Sequence, residues 1–222
     1  MSILFVLLMF LLVMSISYFR SRGEVVAAKQ PEASAKPQAP RMQREYGFSI
    51  PEGYAFHPGH TWVLTEGGSE NARVGLDSFA ANLLGKVDHV DVIGANRWIR
   101  QGQKLATLVS GGQSFDLVSP VEGVVTTVNR DLAHDPNLLT SDPYQAGWIA
   151  MVKSPDLTLN KKNLVQGGMV ASWLQNSVTR LNGMVGQLAP TMAADGGLPI
   201  AGLMNRVSSE VRDRLAKEFF LA

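Results

Sequence analysis

The chain has 222 residues, 45% of them apolar, and a net charge of +1 at neutral pH, which suits one domain with appendages. Because the charges are balanced, no strong field favours nucleic acid or an acidic substrate, and we expect neither as a ligand. The absence of cysteine excludes disulfides, thiolate nucleophiles and cysteine metal sites.

The first predicted element is an uninterrupted apolar run from Ile3 to Phe19, which contains no charge, proline or glycine. As an α-helix it would be about 25 Å long, enough for the hydrocarbon core of a bilayer. A cleaved signal peptide needs a basic segment before its apolar run, and only Met1 and Ser2 precede this one. We therefore expect residues 1–19 to form an uncleaved, single-pass transmembrane anchor.

Residues 20–45 form the second predicted region, which is rich in proline, alanine, lysine, glutamine and glutamate and has no aromatic residue. This composition is typical of a flexible, solvated tether. All the positive charges near the apolar run follow it: Arg20, Arg22, Lys29 and Lys36. The positive-inside rule then predicts that the globular part lies on the cytoplasmic side of the inner membrane.

Residues 46–160 predict a mainly β domain. Short apolar runs with β-branched residues and partial alternation are separated by glycine turns: TWVLTE, ARVGL, VDHVDVI, QKLATLVS, SFDLVSP, GVVTTVN and GWIAMVK. One stretch, Leu76 to Gly85, has helical spacing and ends at a capping glycine. Many short strands with one short helix favour a compact sandwich or a flattened barrel.

Residues 161–222 predict a helical C-terminal extension. Apolar residues recur at helical spacing from Met169 to a stop at Pro190, and a second amphipathic helix begins after an N-cap at Ser208 or Ser209. The pattern leaves open whether these helices pack on the domain or on a partner. Four aromatic side chains are the candidate partner contacts: Trp98, which lies between Arg97 and Arg100, and Trp173, Phe219 and Phe220.

Three segments carry a resemblance to a known family: HTWV from His60, VGLDSFAANLLG from Val74, and the long run from Ser114 to Lys153. In these segments the chain resembles the H protein of the glycine cleavage system. The resemblance implies a lipoyl-type hybrid fold, in which two sheets pack face to face and a hairpin projects at one end.

The resemblance also implies a function that this sequence does not support. An H protein carries lipoate in amide linkage to a lysine on the hairpin, and that position falls on Gly112. The acidic residue usual three positions earlier is Val109, and no lysine occurs between Val109 and Val152. The nearest lysines lie in other strands or turns: Lys86 and Lys104. We therefore expect no bound cofactor.

Three residue pairs could carry other chemistry, and each has a simpler interpretation. His57 and His60 have the spacing of zinc ligands, but Pro58 and Gly59 place them in a turn without a third ligand nearby. Asp88 and Asp91 lie on opposite faces of a predicted strand, so they do not form a shared acid–base site. Ser110 and Ser114 have no neighbouring base that could activate a serine nucleophile. We expect no metal site and no catalytic residue.

Taken together, these features predict a non-catalytic, membrane-anchored H-protein-like module. It would act as an accessory or scaffold subunit of a membrane-associated complex, such as a redox or respiratory complex. Two alternatives remain open: a glycine-cleavage-type carrier modified at an atypical lysine, and a membrane-anchored transport adaptor. Such adaptors split the domain at the hairpin tip by a long helical insertion, whereas the run from Leu108 to Pro120 is continuous.

Overall fold

The chain divides into two units, Met1–Ala39 and Pro40–Ala222, in a computed structural model. The structure describes four ranges of residues: 9–15, 41–66, 70–188 and 200–220. In the first unit, residues 9–15 form a helix, α1, with exposed side chains. The rest of the predicted anchor, and the predicted tether up to residue 40, lie outside the described residues. Within the four ranges, no helix is long and apolar enough to cross a membrane.

The second unit is built on antiparallel sheets, which confirms the prediction of a mainly β domain. The largest sheet contains seven strands: β3 (Ala55–Phe56), β4 (Thr61–Thr65), β5 (Asn71–Leu76), β7 (Trp98–Ile99), β10 (Gly123–Val128), β11 (Trp148–Lys153) and β12 (Val165–Gln166). Their order across the sheet is β12-β3-β4-β5-β11-β10-β7, so β7 and β12 are its edges.

Two smaller sheets are also present in the described part of the chain. Strands β6 (His89–Val92), β8 (Lys104–Ser110) and β9 (Gln113–Val118) form a three-stranded sheet in the order β6-β8-β9. Strands β1 (Met42–Glu45) and β2 (Phe48–Pro51) form a separate hairpin, so β1 lies inside the region predicted as tether. Side chains of the two larger sheets meet in a single apolar core, as Val74 and Leu108 illustrate with 0% exposure each.

The described residues of this unit also form five α-helices: α2 (Ser78–Leu84), α3 (Leu138–Ser141), α4 (Leu157–Lys162), α5 (Met169–Leu188) and α6 (Ser209–Phe219). Asp77 caps the start of α2, where its carboxylate accepts the Ala80 N–H, and Gly85 caps the end of the helix with φ 70°, which confirms the predicted capping glycine. The hydroxyl of Ser208 caps α6, which confirms one of the two predicted N-caps.

The C-terminal helices pack on the β domain, and this answers the question that the sequence left open. Phe219 on α6 packs edge-on against Phe79 on α2, with ring centroids 5.2 Å apart. Phe220 lies 5.8 Å from the Phe115 ring on β9. Both C-terminal phenylalanines are fully buried, so the amphipathic pattern of α6 reflects packing within this chain.

Candidate functional site

The β8–β9 hairpin ends in a two-residue turn formed by Gly111 and Gly112. Both have positive φ, 57° and 75°, which a two-residue hairpin of this kind requires and which glycine adopts without steric cost. A Cβ atom on Gly112 would meet nothing within 4 Å, so the position where the resemblance places the carrier lysine is sterically open. A Cβ atom on Gly111 would instead overlap the side-chain oxygen of Asn205.

Asn205 belongs to a C-terminal segment, residues 200–220, that packs along one flank of the hairpin tip. Its Nδ2 donates to the Leu84 carbonyl at 2.9 Å and to the Ser110 hydroxyl at 3.0 Å. The Ser110 hydroxyl in turn donates to the Lys86 carbonyl. Ser110 is fully buried, so this network fixes the base of the turn against the end of α2.

Lys86 lies beside the tip, although it is distant from it in sequence. Its ammonium pairs with Asp88 at 3.2 Å, and the other carboxylate oxygen of Asp88 accepts the Gly111 N–H at 2.8 Å. The Gly111 hydrogen bond, and after it the Lys86 side chain, lower the pKa of Asp88. The Lys86 side chain is 74% exposed. By contrast, Lys104 lies at the far end of β8 and pairs with Asp116 at 2.8 Å.

A second cluster surrounds His60, which is fully buried and has a positive φ of 58°. Its Nδ1 donates to the Asp77 carboxylate at 2.7 Å, while Nε2 has no hydrogen-bond partner among the described residues. The ring stacks between Phe79 and Trp173, at centroid distances of 4.3 and 4.7 Å. His60 therefore packs between α5, through Trp173, and α2, through Phe79. This structural role agrees with its place in the His-x-Trp-Val motif.

The His57 ring is oriented by its own loop, because Nδ1 accepts the Gly59 N–H at 3.0 Å. Burial, and second the neighbouring His60 ring, lower the pKa of His57. The two histidines thus have different partners for their Nδ1 atoms. Across the four described ranges, no group of three or more histidine and acidic side chains could hold a metal ion.

The four predicted partner contacts differ in how far their side chains are exposed. Phe219 and Phe220 are 0% and 1% exposed, so the prediction that they contact a partner is wrong: they fill the core of their own chain. Trp173 is half-buried against His60 and Phe56. Trp98 is 51% exposed on the edge strand β7, and it remains a candidate for contact with a partner.

Replacing His57 with asparagine tests the environment of this loop. Since the folded pKa lies below the ordinary value of about 6.5, the unfolded chain binds more protons between the two values. We expect the free energy of unfolding of the wild type to fall as pH is lowered from about 7 through this window. The dependence on pH should be weaker in His57→Asn. Asparagine is chosen because its amide oxygen can still accept the Gly59 N–H. Urea unfolding between pH 5 and 8 measures both slopes, and parallel pH profiles would contradict the assignment.

The geometry defines the class of protein: a mainly β domain whose sheets share one core, with a two-glycine turn between β8 and β9. The family described as glycine cleavage H-protein matches residues 54–177 of the chain. With more than half of its residues matched, the chain belongs to the glycine cleavage H-protein family. The match reaches the middle of α5, so β12 and the first half of α5, which follow the boundary predicted at residue 160, lie within the matched residues.

Two H proteins of similar sequence agree with this assignment. The glycine cleavage system H protein of Micrococcus luteus is 33% identical over 108 residues, which cover 49% of this chain and 84% of that protein. The corresponding protein of Mycobacterium avium is 36% identical over 107 residues, covering 48% and 80%. A crystal structure of the H protein from Mycobacterium marinum aligns with 57% of this chain and 98% of its own, at 23% identity and a TM-score of 0.47.

Proposed function

We propose that this chain is a non-catalytic H-protein-like module that bears no lipoyl group and serves as an accessory subunit of a membrane-associated protein complex. The observation that carries the proposal is the hairpin tip. The position that the resemblance assigns to the carrier lysine is Gly112, in a turn that needs positive φ at both residues. Glycine has no side chain, so Gly112 offers no side-chain amine for an amide bond with lipoate. The tip is then a tight turn without an attachment site.

The surroundings of the tip support a fixed role for the hairpin. A carrier arm has to move between enzymes, which favours a tip that is free on all sides. Here one flank is held by Asn205 and the base is held by buried Ser110. The C-terminal segment, residues 200–220, therefore packs against one side of the tip, and that side is not open.

Membrane attachment is supported by the sequence of the first unit. The apolar run from Ile3 to Phe19 suits a single span, and the basic residues after it favour a cytoplasmic position for the domain. A reporter fused after Ala222, active only in the cytoplasm, tests the orientation. We expect an active reporter and recovery of the chain in the membrane fraction. Recovery in the soluble fraction, or an inactive reporter, would overturn this part of the proposal.

An accessory subunit should be found in a stoichiometric assembly. The experiment is solubilisation of native membranes in a mild detergent, followed by size separation and quantification of the co-migrating proteins. We expect the chain to migrate at a mass well above that of one copy with its micelle, together with the same proteins in fixed ratio. Migration of the chain alone, at the mass of one copy with its micelle, would contradict the proposal.

Lys86 favours a second candidate function, a carrier modified at an atypical lysine. It is the lysine that the structure places beside the hairpin tip, and its side chain is well exposed. Its ammonium is held in an ion pair with Asp88, which attack of the amine on an activated acyl group would break. The intact mass of the wild type and of Lys86→Arg separates the two functions, since only a carrier would show a lipoyl-sized increment that the substitution removes.

A further inference from the structure

We propose that the loop between β3 and β4 is a pH-sensitive switch, in which protonation of His57 loosens the C-terminal end of the chain from the β domain. The loop is the HPGH segment, residues 57–60, whose two histidines belong to no metal-binding cluster among the described residues. The switch is built from contacts within this chain. It therefore operates whether or not the chain is a subunit of a complex.

A neutral imidazole closes this loop. Nδ1 of His57 accepts the Gly59 N–H at 3.0 Å, and the His57 carbonyl accepts the His60 N–H at 2.9 Å. Because Nδ1 is an acceptor, the neutral ring carries its proton on Nε2, and a second proton can bind only at Nδ1. An imidazolium has no lone pair with which to accept a hydrogen bond. Protonation of His57 therefore breaks its hydrogen bond to Gly59.

Gly59 is the point at which the loop meets the C-terminal end of the chain. A Cβ atom on Gly59 would lie 3.1 Å from the Phe220 carbonyl oxygen and 3.0 Å from the Val118 side chain. Phe220 is 1% exposed, and its ring packs on Phe115 of β9, the strand that also contains Val118. The backbones of the loop and of Phe220 are therefore in close contact. A change in the position of Gly59 requires Phe220 to move as well.

The surroundings of His57 disfavour its protonated form. Burial, and second the neighbouring His60, hold the pKa of His57 below its ordinary value, so acidification favours the open form, which binds the proton more readily. His57 forms no ion pair among the described residues. The charged side chains on the elements next to this loop are Asp77 before α2, Asp116 on β9, Lys161 and Lys162 on α4, Arg180 on α5, and Lys217 and Glu218 in the last turn of α6. All three acids have other partners: Asp77 pairs with His60, Asp116 with Lys104, and Glu218 with Arg180.

Hydrogen–deuterium exchange of the full chain in detergent, between roughly pH 5 and 8, tests the switch. Protection factors are compared, because they remove the intrinsic pH dependence of amide exchange. We expect α6 to be less protected than β5 and β11, since the C-terminal end opens without the sheet. The protection of α6 should fall about fivefold across this range on acidification, which is the effect of losing one hydrogen bond. In His57→Asn, whose amide oxygen accepts the Gly59 N–H but takes up no proton, the fall should shrink to within about twofold.

The matched control is His89→Asn, which removes an exposed histidine on β6 and should keep the fall seen in the wild type. If His57→Asn does not fold, His57→Ser replaces it, because a serine hydroxyl can accept the same N–H. An equal fall in the wild type and in His57→Asn would overturn the switch. So would a protection of α6 that stays constant or rises on acidification. Equal protection of α6 and β11 would also overturn it, because the C-terminal end would then open only with the whole domain.

Discussion

Replacing Phe219 with alanine is expected to lower the free energy of unfolding by about 3–5 kcal/mol, as for other large buried aromatic residues. The side chain is 0% exposed and packs against Phe79 on α2, with Arg180 of α5 over its ring at 5.6 Å. Its loss would leave a cavity where the C-terminal segment meets the domain. Urea unfolding followed by circular dichroism measures the change.

The matched control is Trp98→Ala, which removes an aromatic side chain of similar size from an exposed position. Because Trp98 is 51% exposed, we expect a change within about 0.5 kcal/mol. A loss below about 1 kcal/mol in Phe219→Ala would contradict the finding that α6 is part of the core. It would instead return Phe219 to the set of candidate partner contacts.

The two turn glycines should respond very differently to the same substitution. Gly112→Ala places a Cβ atom in open space, so it carries only the cost of positive φ, about 1 kcal/mol. Gly111→Ala has that cost as well as an overlap with the Asn205 side chain, for a total of about 2–4 kcal/mol. Unfolding in urea measures both variants under the same conditions.

A double substitution identifies the cause of this difference. Asn205→Ala removes the overlapping oxygen, so Gly111→Ala should cost about as much as Gly112→Ala in that background. The hydrogen bonds of Asn205 to Leu84 and Ser110 are lost in both arms of the comparison, so they cancel. Equal destabilisation by Gly111→Ala in the presence and absence of Asn205 would show that the C-terminal segment does not contact the tip.

Local patterns in the sequence predict much of the fold because they depend on neighbouring residues. Alternation and turn glycines indicate the strands, and helical spacing with a capping glycine at Gly85 indicates α2. The hairpin tip at Gly111 and Gly112 follows from the same kind of signal. The β1–β2 hairpin could not be predicted from such a signal, because the four residues of β1, MQRE, show no alternation of apolar and polar side chains.

Contacts between distant segments are what the sequence could not predict. The amphipathic pattern of α6 shows that Phe219 and Phe220 need to be covered, but the pattern is the same whether the cover is this domain or another protein. Asn205 contacts the Leu84 carbonyl across 121 positions of the chain, and Lys86 reaches the tip through Ser110, 24 positions away. Neither residue has a local feature that distinguishes it from an ordinary surface polar residue.

The central claim, that this member of the H-protein family carries no lipoyl group, is tested most directly by intact mass spectrometry. The chain is produced in a host whose own H protein is recovered lipoylated, which shows that the attaching enzymes are active. We predict that the wild type has the mass of its unmodified sequence. A lipoyl-sized increment on the wild type would contradict the claim, and its loss in Lys86→Arg would assign the carrier function to the lysine beside the tip.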